Sequence, residues 1–445
     1  MTRHKHLKQL VRSRMAKTGE SYSSARRQVL AQSSTTTTDT AGPHFPGIDP
    51  GTTALRVVLT AAGIRSPHDG RPFSESMLSG IAGGIGIGVF AFLYKKADFA
   101  SFFIGGRHLW HDHTSYVTRT AERLGAEVEV AETSSARKAE QDLRRMLDQH
   151  GVCIAWVDAA RLPHRALPET MGGMAYHLIT VYGIDDVTGT ARIGDLTDEP
   201  VTIALSDLAA ARARIRKDNH RVLAVRRTRD TPPLADLVRD GLRACHAGLR
   251  GEGAPVQAKR NFTLDALSTW ADRLRNPGAR ESWANVFTPG PRLWNGLTSI
   301  HEYIEYYGTG GGLCRPLFSG FLTAAAALTK QNTFADIAAE YEVLGAQWSQ
   351  LAAAALPDAV SAFGAARELM ARRAELTATG GDDAMAGLRD VQSSLAALAT
   401  RAAAEFPLPA AAVPAFLTSL ADRVSAIHAA EVRAHALMGE AVAAS

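Results

Sequence analysis

The apolar pattern of the chain changes near Thr228, and this change limits the folds that the sequence can adopt. Before it, short β-branched runs such as GVCIAWVDA and YHLITVYGIDD are bounded by turn residues and alternate with helix-patterned stretches. After it, the sequence is helix-patterned and rich in alanine, with breaks at TPGPR, TGGGL, TGGDD and FPLP. We therefore expect an α+β domain over residues 43–228, followed by an all-α domain over residues 234–445.

A short basic tail and linker, residues 1–42, precede these domains. The net charge of the whole chain is +4, but its first 31 residues contain eight Lys or Arg against a single acidic residue, Glu20. Their pattern predicts two short helices, and the turn-rich SSTTTTDTAGP predicts a linker. The tail could bind a nucleic acid or an acidic partner, or it could be a solvated extension. Because the rest of the chain is nearly neutral, nucleic-acid binding is expected only through the tail.

The composition argues against a membrane protein and against a disulfide or metal framework. The longest apolar stretch, residues 79–94, is too short and too rich in glycine for a membrane span. The first thirty residues lack the apolar core of a signal peptide. The three cysteines have no paired spacing. We expect a cytoplasmic protein that uses no metal ion and no other cofactor.

One histidine and one aspartate occur where a general base and its orienting carboxylate could meet. His177 begins the apolar run HLITVYG, and Asp195 ends the next run, TARIGD, after a turn. Two antiparallel strands joined by that turn would bring both side chains to the same edge of a sheet. A carboxylate that fixes the tautomer of a histidine prepares it to accept a proton. The alternative is that the histidine has a structural role.

Longer motifs resemble a known family. PGTTALRVVLTAAGI, FSESMLSGIAGGIGIGVFAF, WVDAARLPH, MAYHLITVYGIDD and ARIGDLTDEPVTIALSDLAAAR are similar, in order and spacing, to the butirosin biosynthesis protein H N-terminal family. That family has a papain-like fold related to the bacteriocin-processing cysteine peptidases. EYYGTGGGLCRPLFSGFLTAAA resembles the helical domain of unknown function that usually follows it. The two resemblances span most of the chain from His44 to about residue 400.

The resemblance implies a cysteine, histidine and aspartate site of natural-product biosynthesis. Such a site transfers an acyl group from a carrier-protein thioester to an amine, which it converts into an amide. The resemblance assigns the family's histidine to His177 and the third member to Asp195. The nucleophilic cysteine would fall near Pro50, a residue without a nucleophilic group.

Three interpretations account for the missing cysteine. In the first, the amine attacks the thioester directly, His177 removes its proton, and the backbone N–H groups of residues 51–53 stabilise the oxyanion. In the second, the nucleophile is Thr52, Thr53 or Cys314. Cys314 follows three glycines and is expected to begin a helix. In the third, the chain is a pseudoenzyme that keeps the pocket and binds a ligand or a partner protein.

Five further residues are predicted to contact the substrate. Asp49 and Gly51 flank the position of the missing nucleophile, and Glu75 is a helix cap or a carboxylate at the edge of the site. Asp158 ends a strand, and Arg315 follows three glycines, where it could bind a carboxylate or phosphate. The expected partners are an acyl carrier protein or a coenzyme A-type thioester donor, and a small amine acceptor. The helical domain could also form a homodimer.

Overall fold

The computed structural model describes residues 3–32, 37–39, 42–168, 171–173 and 175–444. Within these ranges the tail is helical, the following part mixes strands with helices, and the remainder is helical. This order confirms the predicted fold class. The predicted linker lies partly outside the described residues, and its C-terminal part pairs as two short antiparallel strands, Thr37–Asp39 and Gly42–His44.

Helices make up most of the described chain. In chain order they are α1 (Arg3–Thr18), α2 (Tyr22–Gln32), α3 (Pro50–Ala61), α4 (Glu75–Ile81), α5 (His113–Arg123), α6 (Ala136–His150), α7 (Leu205–Arg214), α8 (Leu234–Leu249), α9 (Asp265–Arg275), α10 (Trp283–Val286), α11 (Pro291–Glu305), α12 (Arg315–Thr329), α13 (Asn332–Ala355), α14 (Ser361–Thr379), α15 (Asp382–Ala404) and α16 (Val413–Ala444).

All strands of the described residues lie before Thr228. They are β1 (Thr37–Asp39), β2 (Gly42–His44), β3 (Ile85–Tyr94), β4 (Phe99–Arg107), β5 (Ala126–Ala131), β6 (Cys153–Asp158), β7 (Tyr176–Asp185), β8 (Thr190–Gly194), β9 (Val201–Ala204) and β10 (Val222–Arg227).

The chain forms two compact units, each built from segments that are distant in sequence. The first unit contains Met1–Leu78, His113–Leu237 and Arg372–Gln392. The second contains Ser79–Asp112, Val238–Ala371 and Ser393–Ser445. The tail and the larger sheet therefore belong to the first unit, whereas the β3–β4 hairpin belongs to the second with most of the helical half.

A six-stranded antiparallel sheet organises the first unit, with the strand order β5-β10-β6-β7-β8-β9. One face of β7, including Ile179 and Val181, packs in an apolar core with Leu143 of α6 and Leu208 of α7. Helix α3 also packs against β7. Because β7 lies between β6 and β8, groups at the ends of these three strands are brought together.

The turn between β7 and β8 has local causes in the sequence. The Asp185 carboxylate accepts hydrogen bonds from the backbone N–H groups of Val187 and Thr188, at 2.9 and 3.2 Å. Gly189 has a φ of +65°, which a residue with a side chain adopts at a cost. This turn pairs Thr180 with Gly194, so β7 begins beside the end of β8.

Helix α3 begins and ends at residues suited to those positions. Asp49 caps the first turn, and Pro50 occupies the first helical position, where its missing N–H costs nothing. The apolar residues Leu55 and Val58 are buried. The helix gives way to Gly63, whose φ is +74°. The sequence therefore positions the N-terminus of α3 by a side-chain cap rather than by apolar packing alone.

The basic tail packs on the first unit. Val11, Ala25 and Val29 form an apolar cluster with Ala378, near the end of α14. Glu375 lies 3.3 Å from Lys8 Nζ and 2.6 Å from an Arg12 guanidinium nitrogen. Part of the positive charge of the tail is therefore neutralised within the protein, and binding of a nucleic acid by the tail stays a prediction.

A buried ion pair lies in the core of the second unit. Arg315 and Glu431 are both 0% exposed, and Arg315 Nε donates to Glu431 Oε1 at 2.7 Å. The same guanidinium donates to the carbonyl oxygens of Gly86, Gly106 and Leu313. These bonds join the β3–β4 hairpin to α12 and α16 inside this unit.

Glu431 lies within the only candidate membrane span found among the described residues. The stretch Ala410–Ala443 is long and apolar enough to cross a membrane by length and composition. However, Glu431 is paired in the core, and Leu420 and Val424 are buried beside it in the same helix. About one third of the most apolar part of this stretch is buried within the protein. Cytoplasmic location stays a prediction.

Candidate active site

His177 and Asp195 meet at one edge of the sheet. His177 is the second residue of β7, and Asp195 directly follows the neighbouring strand β8. The distance from His177 Nε2 to Asp195 Oδ1 is 2.7 Å. Both side chains are buried. This geometry is that of a histidine oriented by a carboxylate.

Two residues that the sequence analysis missed, His164 and Arg165, complete a cluster on Asp195. His164 Nε2 lies 2.8 Å from Asp195 Oδ2. Arg165 donates to Oδ2 through Nε at 2.7 Å and to Oδ1 through Nη2. The backbone N–H of Leu196 also donates to Oδ1, at 2.7 Å. A single carboxylate is therefore surrounded by two imidazoles, a guanidinium and an amide.

The sequence did contain a signal for the two missed residues. They belong to LPHR, which follows β6 after one short turn. Asp158, the last residue of β6, pairs with Tyr176 at the start of β7. The segment after β6 therefore emerges at the same edge as His177. A histidine and an arginine at that edge could have been grouped with the predicted pair.

The charges of this cluster can be assigned from the pKa directions. Burial raises the pKa of the Asp195 carboxyl, but Arg165 and the two histidines outweigh burial and hold this pKa well below its usual range. Burial is also the largest influence on His177 and lowers its pKa, while Asp195 opposes the change and Arg165 reinforces it. At neutral pH we therefore assign an ionised Asp195 and a neutral His177.

The tautomer of His177 follows from its neighbours. Its Nε2 lies 2.7 Å from both Asp195 Oδ1 and Arg165 Nη2. If Nε2 had no proton, its lone pair could accept from Arg165 Nη2 but would also face a carboxylate oxygen at hydrogen-bond distance; Arg165 Nη2 already donates to that oxygen and does not need Nε2 as an acceptor. We therefore place the proton on Nε2, where it is donated to Asp195. Nδ1 is then the basic nitrogen, and within the described residues it has no hydrogen-bond partner.

The N-terminus of α3, where the resemblance places the nucleophile, is occupied by other groups of the chain. Asp49 Oδ1 accepts hydrogen bonds from the N–H and hydroxyl of Thr52, at 2.7 and 2.8 Å. Thr52 Oγ1 is also 2.7 Å from the Tyr116 hydroxyl. Thr52, which was a candidate nucleophile, thus lies buried in a capping network, and none of its hydrogen bonds is to His177.

Glu75 stabilises the loop before α3 from another helix. Its carboxylate accepts from the N–H of Ile48 at 2.9 Å, from the N–H of Asp49 at 2.7 Å and from the hydroxyl of Thr53 at 3.2 Å. Burial raises the pKa of Glu75, and the two N–H donors oppose this change. The cap of α4 is Ser74, whose Oγ accepts from a backbone N–H of that helix at 3.1 Å. Thr53, the other candidate threonine, is bonded to a carboxylate and not to a histidine.

These contacts leave few backbone N–H groups at the α3 N-terminus that could bind an oxyanion. The N–H of Thr52 donates to the Asp49 side chain, and the N–H of Thr53 donates to the Asp49 carbonyl at 2.9 Å. Pro50 has no N–H. Of the backbone N–H groups predicted to stabilise an oxyanion, only that of Gly51 has no hydrogen-bond partner among the described residues.

A small cavity lies between α3 and the sheet, and residues of the α3 N-terminus and Asp195 of the His177–Asp195 cluster line it. Its interior has room for about one water molecule. Pro50 and Thr53 line it from α3, Thr180 and Tyr182 line it from β7, and Asp195 lines it from the end of β8. The position of the missing nucleophile and the carboxylate that orients His177 therefore border the same space.

Three other predicted residues have structural roles. Asp158 is 0% exposed, and its carboxylate accepts from the N–H groups of Ala160 and Gly173, at 3.1 and 2.6 Å. Arg315 was predicted to bind a substrate anion, but its guanidinium is buried and bonded to Glu431 and to carbonyl groups. Cys314 is buried, belongs to the second unit and has a φ of +69°.

Groups of three or more His, Cys, Asp or Glu side chains placed to hold a metal ion are absent from the part of the chain that the structure describes.

Two family models match successive parts of the chain. The family described as Butirosin biosynthesis protein H, N-terminal matches residues 49–196. This part of the chain, and not the whole chain, is similar to that family. A second family, Domain of unknown function (DUF4872), matches residues 205–379. None of the curated proteins compared matches the chain.

The match to the butirosin biosynthesis protein H N-terminal family implies a biosynthesis protein that is acyltransferase-like. The matched region begins at Asp49, the cap of α3, and ends just after Asp195. It therefore includes the α3 N-terminus, most residues that line the cavity, and the His177 cluster. In this matched region, a paired histidine and aspartate occur together with proline at the position where we placed the nucleophile.

Proposed function

We propose that the protein transfers an acyl group from a thioester to an amine, forming an amide without a covalent acyl-enzyme. The donor is a carrier-protein or coenzyme A-type thioester, and the acceptor is a small amine. The observation that best supports this proposal is the His177–Asp195 pair, with its short hydrogen bond and its ionised carboxylate. A histidine held in this way is suited to remove a proton from a nucleophile.

The chain's own groups suffice for such a reaction. As the amine nitrogen bonds to the thioester carbonyl carbon, His177 Nδ1 accepts the amine proton. The C–S bond then breaks, and the imidazolium returns a proton to the departing thiolate. Asp195 stabilises the imidazolium between these steps, and the Gly51 N–H is available to the oxyanion. Because thioesters are already reactive towards amines, positioning of the two substrates can lower the barrier by about 7–11 kcal/mol.

Replacing His177 by alanine is expected to reduce amine-dependent thiol release by roughly 10²- to 10⁴-fold, because the general base is lost. The measurement is thiol release from a panel of acyl-thioesters with and without amines. The matched control is His150→Ala, since His150 Nε2 also contacts a carboxylate, Glu129 Oε2, at 3.0 Å in the same unit.

The same samples distinguish direct aminolysis from a covalent route. Direct aminolysis leaves the intact mass of the protein unchanged during turnover, whereas an acylated wild-type protein would implicate Thr52, Thr53 or Cys314. Equal loss of activity in His150→Ala and His177→Ala would indicate a general defect and would remove the support for His177 as base.

As the pH is lowered, the rate of acyl transfer is expected to stay constant down to about pH 6.5 and to fall only below it. His177 must be neutral to accept a proton, and burial lowers its pKa from the ordinary value of 6.5. The neutral form therefore persists to a lower pH than in an exposed histidine. The measurement is kcat/KM between pH 4.5 and 8 with one reactive thioester and an amine acceptor that is itself unprotonated over this range; an acid limb above pH 7 would then contradict the assigned environment of His177.

A second candidate function, a catalytically inactive protein that binds a ligand or partner, is favoured by one observation. Glu75 and Asp49 together occupy the backbone N–H groups of residues 48, 49 and 52 at the α3 N-terminus. A site that stabilises an oxyanion needs such donors unpaired. Thioesters that bind and raise the unfolding temperature of the wild type, without thiol release for any amine, would support this function.

A further inference from the structure

Arg26, in the second helix of the basic tail, bonds to loops from both sides of the candidate site. Its Nη1 donates to the Gly47 carbonyl at 2.6 Å, and its Nη2 donates to the Leu196 carbonyl at 3.1 Å. Nη2 also donates to Asp198 Oδ1 at 2.8 Å. Gly47 precedes Pro50 by three residues, and Leu196 directly follows Asp195. One guanidinium therefore bridges the loop that leads into α3 and the loop that follows β8.

The Arg26 side chain is buried inside the protein rather than exposed on its surface. The residue is 6% exposed, and Asp198 is 8% exposed. Burial lowers the pKa of Arg26, but the Asp198 carboxylate outweighs burial and leaves that pKa raised, so the guanidinium keeps its charge. A buried charge needs its partner and its hydrogen bonds, so the geometry of this contact is strongly favoured.

Further contacts hold the same two loops together. His44, which precedes the first loop, has its Nε2 3.0 Å from the Thr197 carbonyl. The Asp198 N–H donates to the Ala378 carbonyl, near the end of α14, at 2.8 Å. The tail helices pack on the same end of α14 through Ala25. The loop after Asp195 therefore lies between the tail, the α14 end and the segment before α3.

We propose that Arg26 is a positioning residue, and that the tail helices complete the candidate site by fixing Pro50 and Asp195 across their shared cavity. Arginine suits this task because its planar fork reaches two carbonyl groups and a carboxylate at once, which a lysine ammonium on a flexible stem does not reproduce. The tail is thus part of the catalytic unit. The effect on turnover rests on the proposed function, whereas the effect on the loops does not.

The test compares three variants of the full chain by hydrogen exchange and by thioester aminolysis. Arg26→Ala removes the bridge, and Arg26→Lys keeps the charge beside Asp198 but not the fork. The matched control is Arg12→Ala, because Arg12 is a tail arginine whose partner, Glu375, lies in α14 and not in either loop. Exchange is measured by mass spectrometry on peptides that cover residues 22–32, 44–50 and 194–199.

Arg26→Ala is expected to raise exchange in both loop peptides together, by about tenfold or more, because both loops lose a buried anchor. Arg26→Lys should keep the tail peptide protected while the loops exchange faster. If the wild type catalyses aminolysis, kcat should fall by about 10- to 100-fold in Arg26→Lys with a smaller change in KM. Arg12→Ala should change none of these quantities.

Each contrary result is informative. Unchanged loop exchange in a folded Arg26→Lys variant would overturn the bridging role, whether or not the wild type is active. Faster loop exchange with unchanged kcat in an active enzyme would overturn the positioning role. If Arg26→Ala does not fold, the comparison rests on Arg26→Lys alone. A wild type without aminolysis, but with the expected exchange pattern, would contradict the proposed function and leave the bridge supported.

Discussion

A Pro50→Cys variant is expected to become acylated by thioesters that leave the wild type unmodified. Pro50 is the first residue of α3, half-buried, and it lines the cavity that Asp195 borders. At the first position of α3, the helix dipole and the unpaired Gly51 N–H favour the thiolate, while the adjacent Asp49 carboxylate opposes it. The expected result is a mass increase of one acyl group on the variant and none on the wild type.

Two further variants separate active-site chemistry from simple thiol exposure. In Pro50→Cys with His177→Ala, acylation is expected to slow by roughly 10²-fold or more, because the thiol loses its base. Pro291→Cys places a thiol at the first position of another helix, α11, where the proline is exposed. Acylation of Pro291→Cys as fast as that of Pro50→Cys would show that helix position and access alone explain the reaction.

The chain's own cysteines should give little background in this experiment. Burial raises the pKa of Cys153 and of Cys245 to about 12, so neither forms a thiolate at neutral pH. Cys314 is 4% exposed. Failure of a folded Pro50→Cys protein to acylate under any donor, while Pro291→Cys reacts, would argue that α3 does not present an acyl-transfer site.

Arg315→Ala is expected to destabilise the second unit by about 3–5 kcal/mol, the largest stability effect that we predict. The change leaves the wholly buried Glu431 without its charged partner, and removes the donor for three backbone carbonyls. Trp348 Nε1 still donates to Glu431 Oε1 at 2.9 Å, but one neutral donor does not compensate a buried charge. The measurement is urea unfolding followed by tryptophan fluorescence.

Fluorescence suits this measurement because five of the six tryptophans belong to the second unit. The control is Arg275→Ala, which breaks an ion pair with Asp422 whose two side chains are 41% and 67% exposed. That change should cost no more than about 1 kcal/mol. Arg315→Met combined with Glu431→Gln removes both charges and should recover part of the loss; equal stability of Arg315→Ala and Arg275→Ala would contradict the buried-pair argument.

The candidate site shows where prediction from sequence succeeded and where it failed. The His177–Asp195 contact depends on one tight turn and on two adjacent antiparallel strands, and both are encoded locally by VTGT and by alternating apolar residues. His164 and Arg165 depend in addition on the pairing of β6 with β7. Strand pairing of that kind is decided by the packing of the whole sheet, so the sequence showed a histidine and an arginine after β6 but not their contact with Asp195.

The sequence by itself determined the order of secondary structure, the cap of α3, the family resemblance of residues 49–196 and the absence of a cysteine at Pro50. These features depend on residue type and on neighbours within a few positions. Only the tertiary structure decided that Arg315 is a core residue, that Glu75 occupies backbone N–H groups before α3, and that the tail reaches the site through Arg26. A charged side chain is buried or exposed according to the partners that distant segments bring to it, since its desolvation must be offset by them.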